Sequence, residues 1–176
     1  WNTLMAGYSH MGHAKGVFVL FIKMMERDIV PNPISFLVLL TTCSHVGLVE
    51  EGQKFLDILD NVYSFTPSLE HYACMVDLFS RAGHLDKAIF VIEKVPSSDR
   101  IQLWLAFLGA CQKWMNVELG MWAFRQALEL DPNRASAYVC MGNIYAVAGM
   151  QQEAEKMMAY WRMKCANMDG NSISLK

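Results

Sequence analysis

Charge is scarce in this chain of 176 residues, and what there is carries almost no sign. Asp, Glu, Lys and Arg make up 18% of it, the net charge is −2 and the sequence pI is near 6.2. Such a surface gives no electrostatic footprint for gripping phosphates unaided, so nucleic-acid binding by this chain alone is expected to be weak. No run reaches the ~18 apolar residues that a membrane helix needs, which excludes a helical span. Trp1 already lies inside a repeating pattern, so no targeting segment is visible. The five cysteines are odd in number and lack C-x-x-C spacing, which argues against a disulfide framework or a paired-cysteine zinc site. Gly-rich phosphate loops and a nucleophile elbow are missing, and no period-two alternation is long enough for a strand.

What the chain has is repetition. An aromatic residue with a Gly eleven positions later recurs as Trp1 and Gly12, Phe36 and Gly47, Tyr72 and Gly83, and Tyr138 and Gly149, while Trp104 has no such Gly. The aromatics are spaced by 35, 36, 32 and 34 residues. A period of this size marks a solenoid of helical hairpins, because one two-helix unit cannot bury its apolar face until a neighbour stacks on it. Hydrophobic residues at 53% are enough to dry every interface between units. The expected architecture is all-α, a right-handed α-solenoid of helix-turn-helix repeats, and function is expected along a groove instead of in one pocket.

Taking each aromatic as the fourth residue of its unit divides the chain into 1–32, truncated at its start, then 33–68, 69–100, 101–134 and 135–168, with a tail of 169–176. In the second unit Phe36, Leu39, Leu40 and Cys43 describe one helical face, and Gly47 ends that helix. A second helix starts near Val49, turns Gly52, Phe55, Leu56 and Leu59 inward, and stops before Pro67. Val17, Gly52, Ala88, Gly120 and Ala154 share one repeat position, where a short side chain lets paired helices approach. Cys43, Cys74, Cys111 and Cys140 also recur at fixed repeat positions, as small buried packing residues do, which implies a reducing compartment. Met24, Met25, Met75, Met157 and Met158 read as core. Trp114, Trp122 and Trp161 read as partner anchors if exposed and as packing otherwise.

Several segments resemble a known family. Trp1-Asn2-Thr3-Leu4-Met5-Ala6-Gly7-Tyr8, Thr42-Cys43-Ser44-His45-Val46-Gly47-Leu48-Val49-Glu50-Glu51-Gly52 and Glu70-His71-Tyr72-Ala73-Cys74-Met75-Val76-Asp77-Leu78 are similar to the end of a plant pentatricopeptide repeat array of the PLS class. They fit a last P-type, a last L-type and a last S-type repeat. Leu108-Gly109-Ala110-Cys111 with Asn116-Val117-Glu118-Leu119-Gly120, and Gly142-Asn143-Ile144-Tyr145-Ala146 with Ala148-Gly149, resemble the two E-type motifs that follow such arrays. The resemblance implies the carboxy-terminal portion of an organellar protein, mitochondrial or chloroplastic. Such a protein binds single-stranded RNA one base per repeat and commonly specifies cytidines for conversion to uridine.

The resemblance also assigns roles. Base choice falls to the fifth and last residues of a repeat, which are Asn2 and Asn32 in the first unit, a pair that resembles pyrimidine readers, and Leu37 and Ser68 in the second. Ile34 suits the second position, where an apolar side chain sandwiches a base. The third unit offers Ala73 and Arg100, and Glu70 places a carboxylate beside the RNA path, so RNA contact is expected to fade after the second unit. The last two units follow the tetratricopeptide pattern W-x-x-L-G-x-x-Y…A in part, and tetratricopeptide units bind peptides along their concave helices. The residues expected to line that face are Gln102, Leu105, Gly109, Gln112 and Lys113, then Ser136, Val139, Asn143, Ala146 and Val147. A protein partner, a deaminase or an accessory editing protein recruited in trans, is the better fit there than RNA.

Catalysis is not expected. A zinc deaminase requires a His-x-Glu segment and a Pro-Cys-x-x-Cys segment, and neither is present. His10 and His13 read as turn residues, with no metal, cofactor, membrane or small-molecule substrate implied. Family members that continue into a deaminase domain usually carry a Pro-Gly-x-Ser-Trp-Ile-like segment, whereas Asp169-Gly170-Asn171-Ser172-Ile173-Ser174 stands here. The alternative to an editing specificity factor is a structural cap or protein-interaction scaffold in splicing, transcript stabilisation or complex assembly.

Overall fold

The computed structural model describes residues 1–173, with side chains through 166. Among the described residues there are ten α-helices, one short 3-10 turn and no strand. The helices are α1 (Asn2–His10), α2 (Ala14–Met25), α3 (Pro33–Val46), α4 (Val49–Asn61), α5 (Leu69–Ala82), α6 (Leu85–Lys94), α7 (Arg100–Lys113), α8 (Val117–Leu130), α9 (Ala135–Val147) and α10 (Gln151–Ile173). The expected all-α architecture is what the chain adopts. It divides into two compact units, Trp1–Val95 and Pro96–Lys176.

In the first unit α1 and α2, α3 and α4, and α5 and α6 pack as consecutive hairpins, and α1, α3 and α5 pack side by side as their first helices. In the second, α7 pairs with α8 and α9 with α10, with α7 against α9. Local signals start and stop these helices. Asn32 caps α3 by accepting from the Ser35 N–H at 3.0 Å, with Pro33 in the first turn where its missing donor costs nothing. Asn116 caps α8 through the Leu119 N–H at 3.0 Å. His13 caps α2 through the Gly16 N–H at 3.0 Å, which makes it a turn residue as its place in the chain suggests. The helix expected to stop before Pro67 ends at Asn61, and beyond it Tyr63 meets the ring of Phe36, 5.2 Å between centroids.

The core follows the repeat positions. Phe36, Leu39, Leu40 and Cys43 are wholly buried on α3, and Val17, Gly52, Ala88, Gly120 and Ala154 are all buried on the second helices. A Cβ on Gly52 would lie 2.4 Å from Leu78 Cδ2 of α5 but 3.5 Å from Cys43 Cβ of α3, so the tight approach is to the next hairpin and not within the pair as expected. Met24 and Met75 are buried as expected and Met157 and Met158 half-buried, but Met25 is 39% exposed. It lies beside Tyr63 at a cavity that residues of the α2–α3 loop also line. Residues 174–176 of the expected tail lie outside the described residues, and so do the side chains of Asp169 to Ile173.

Candidate functional site

The first unit brings together two residues thirty positions apart. Asn2, half-buried at the start of α1, donates from Nδ2 to Oδ1 of the exposed Asn32 at 3.1 Å. Ser35, wholly buried on the first turn of α3, donates its hydroxyl to Asn2 Oδ1 at 2.9 Å and accepts from the Asn32 backbone N–H at 3.2 Å. The two amides therefore share one edge of the first-helix face, with part of their hydrogen-bonding capacity turned outward. Ile34, 58% exposed on the first turn of α3, offers an apolar side chain next to them.

The second pair differs. Leu37 is half-buried and has no polar group to offer. Ser68, which precedes α5, gives its hydroxyl to Glu70 Oε2 at 2.5 Å and lies 2.8 Å from His71 Nδ1. His71 Nδ1 also accepts from the Ser68 backbone N–H at 3.1 Å, so its proton is on Nε2, which donates to the Pro33 carbonyl at 2.9 Å. The Ser68 hydroxyl and Glu70's own backbone N–H hold the exposed Glu70 carboxyl below the usual carboxylate range. A fixed negative charge thus stands at the N-terminal end of α5.

In the second unit all ten candidate partner residues reach solvent. Gln102, Gly109 and Lys113 are exposed on α7 and Leu105 and Gln112 half-buried, while Ser136, Val139, Asn143, Ala146 and Val147 are exposed on the adjacent α9. An added Cβ at Gly109 would touch nothing within 4 Å. Of the three tryptophans, Trp122 packs edge-on against Trp104 at 5.0 Å and Trp161 stacks on Tyr138 at 4.7 Å, so both are packing residues. Trp114, at the end of α7, is 45% exposed with Lys113 over its ring at 5.2 Å. On the second-helix side, Phe124, Tyr145, Met157 and Tyr160 help line a cavity of about 440 Å³, which the repeat pattern does not single out.

Burial pushes the Cys43 and Cys111 thiols up to about 12, and it raises Cys74 and Cys140 as well. All five cysteines are free. Burial that disfavours the thiolate makes these thiols poor nucleophiles, which fits the packing role. Among the described residues no group of three His, Cys, Asp or Glu is placed to hold a metal ion.

A model of the pentatricopeptide repeat family matches residues 1–45, one of the single repeat matches 70–99, and one of the E motif matches 114–171. The chain belongs to the pentatricopeptide repeat family. Its repeats followed by an E motif agree with the carboxy-terminal portion of a PLS-class member. A chloroplastic pentatricopeptide repeat-containing protein of Arabidopsis thaliana is 41% identical over 89% of this chain and 18% of its own length. A mitochondrial one from the same plant is 34% identical over 93% of this chain and 35% of its own length. The chain thus spans about a fifth to a third of these relatives. The crystal structure of the maize pentatricopeptide repeat protein PPR10 superposes with a TM-score of 0.66 at 20% identity, over 93% of this chain and 24% of that one, and so shares its helical-repeat fold.

The sequence reading singled out Asn2, Asn32 and the α7–α9 residues but passed over Ser35, which joins both asparagines. Its signal was there as Asn32-x-x-Ser35, the spacing at which a cap and a reciprocal partner meet across a helix start.

Proposed function

We propose that this pentatricopeptide repeat chain serves in an organellar specificity factor for C-to-U RNA editing. On this reading its first unit contacts single-stranded RNA and its E-motif unit recruits a deaminase or accessory editing protein in trans. The observation that carries the RNA half is the meeting of Asn2 and Asn32, thirty residues apart, as two amides at one exposed edge. Amides of this kind complement the Watson–Crick edge of an unstacked base, and the exposed Ile34 supplies an apolar surface for its ring. The chloroplastic and mitochondrial relatives support an organellar setting. The chain's part is binding, not catalysis.

The fixed carboxylate of Glu70 and the occupied hydroxyl of Ser68 argue that contact with RNA ends before α5. From there the α7–α9 face, with Leu105, Val139 and Val147 among Gln102, Gln112, Ser136 and Asn143, has the mixed apolar and amide character of a peptide-binding surface. That same face supports the second reading, a scaffold in splicing, stabilisation or complex assembly.

Two measurements test the proposal. In fluorescence anisotropy the wild-type chain is expected to bind oligopyrimidine RNA more tightly than oligoadenylate, and Asn2→Ala to lose the preference. Equal binding of both RNAs by wild type would sink the base-reading role. In pull-downs from plant organelle extract, a Leu105→Asp, Val139→Asp double variant with unchanged circular dichroism is expected to lose a deaminase or editing factor that wild type retains. Equal capture by both would leave the E-motif unit as a cap.

A further inference from the structure

Asn32 is not free to choose which way its amide faces. As the cap of α3 its Oδ1 accepts the Ser35 backbone N–H at 3.0 Å, and Nδ2 in that place would set donor against donor. With Oδ1 fixed at the helix end, Asn2 meets it with Nδ2 at 3.1 Å and so turns its own Oδ1 the other way. There the Ser35 hydroxyl donates to it at 2.9 Å. The hydroxyl is held in turn, since it accepts from the Asn32 N–H at 3.2 Å and its oxygen also lies 3.2 Å from Asn32 Oδ1. Ser35 itself is wholly buried, so its hydroxyl is turned toward these partners and away from solvent.

The ring leaves Asn2 with one N–H and one oxygen lone pair unspent, in a fixed order. That order is what distinguishes the two pyrimidines. Uracil shows an N3–H donor beside the O4 acceptor, while cytosine shows the N3 acceptor beside the N4 donor. An amide able to flip matches both, and one held in a single orientation matches one. We infer that Ser35 is a positioning residue that locks the Asn2 amide and thereby makes this position discriminate cytosine from uracil. The inference rests on the reading of Asn2 as a base-contacting residue. No other fifth-position residue in Trp1–Val95 competes for this role, because Leu37 and Ala73, in the second and third repeats, carry no side-chain hydrogen-bonding group.

The test compares oligocytidylate with oligouridylate, since homopolymers remove any dependence on register. Wild type is expected to favour one of them by ~5-fold or more, the lower end of what a two-bond base contact gives. In Ser35→Ala the ratio falls toward one, chiefly because the disfavoured homopolymer binds more tightly, and Ser35→Thr, which keeps the hydroxyl, restores the preference. A loss of affinity for both RNAs with the ratio intact would mark Ser35 as merely structural and overturn the inference. If Asn2→Ala abolishes the discrimination while Ser35→Ala preserves it, the base-reading role stands and the lock falls. If wild type shows no preference between the homopolymers, the lock has no effect on readout and is also overturned.

A second measurement needs neither RNA nor a variant. In the nuclear magnetic resonance spectrum of the free chain, one Asn2 side-chain amide proton should exchange more slowly with solvent than its geminal partner. Equal, fast exchange of both protons would show that no lock exists.

Discussion

The two units use the same hairpin and both pack rings between first and second helices, but in the first unit polar pairs also run from one first helix to the next. In the first, side chains pair across α1, α3 and α5 at a constant offset of 33 residues: Asn2 with Ser35, Ser9 with Thr42, Thr41 with Cys74, and Ser44 with Asp77. His71 adds a bond from α5 to the Pro33 carbonyl of α3. Rings meet in both units: Phe21 contacts Phe36 and Phe55 in the first, and in the second Trp104 contacts Phe107 and Trp122 while Tyr138 contacts Phe124, Tyr160 and Trp161. Directional bonds between first helices fix register one side chain at a time, and where the row reaches the surface it ends in oriented amides. Aromatic packing gives area without a fixed donor and acceptor order.

The largest expected effect breaks the ring packing of the second unit. Trp104 is 2% exposed and touches rings from both helices of its hairpin, so Trp104→Ala should lose ~3 to 5 kcal/mol in urea unfolding. Thr42→Val is the matching break in the first unit. It keeps the shape of a wholly buried side chain but removes an oxygen 2.9 Å from Ser9 Oγ, leaving that hydroxyl at 4% exposure without its partner. The expected loss is smaller, ~1 to 3 kcal/mol, and adding Ser9→Ala should recover part of it because both polar groups are then gone. If the double variant is as unstable as the sum of the singles, the pair is not coupled and the comparison loses its basis.

Most of the fold could be read from the sequence for a simple reason. Apolar residues at helical spacing and a Gly at each turn are signals carried by single positions, and Phe36, Leu39, Leu40 and Cys43 are buried as that spacing requires. The α7–α9 candidates came from the tetratricopeptide pattern of the last two repeats, and all ten of them reach solvent. The polar row was not legible. Ser9, Thr42 and Ser44 are small and hydroxyl-bearing, equally at home on a surface, and only the stacking of hairpins brings each to its partner. The bond from Ser35 to Asn2 escaped for that reason, although the Asn32-x-x-Ser35 spacing marks the cap, and so did the identity of Trp114 as the exposed member of three tryptophans, since exposure depends on where α7 ends.

The smallest expected effect concerns the one turn that departs from the pattern. Gly12, Gly47, Gly83 and Gly149 all have φ between 69° and 82°, in the left-handed region that glycine tolerates. Eleven residues after Trp104 the chain has Met115, and the backbone keeps the same turn, with φ at 52°. The packing of α7 on α8 therefore imposes the turn whether or not the residue suits it, and a side chain with a Cβ bears ~1 kcal/mol of strain there. Met115 is 59% exposed, so little packing offsets that strain. Met115→Gly should stabilise the second unit by ~0.5 to 1 kcal/mol, and Gly47→Ala should destabilise the first by a similar amount, both read as shifts in urea midpoint. If Met115→Gly is instead destabilising, the exposed Met115 side chain contributes contacts that outweigh the strain, and the turns of the two units are not equivalent after all.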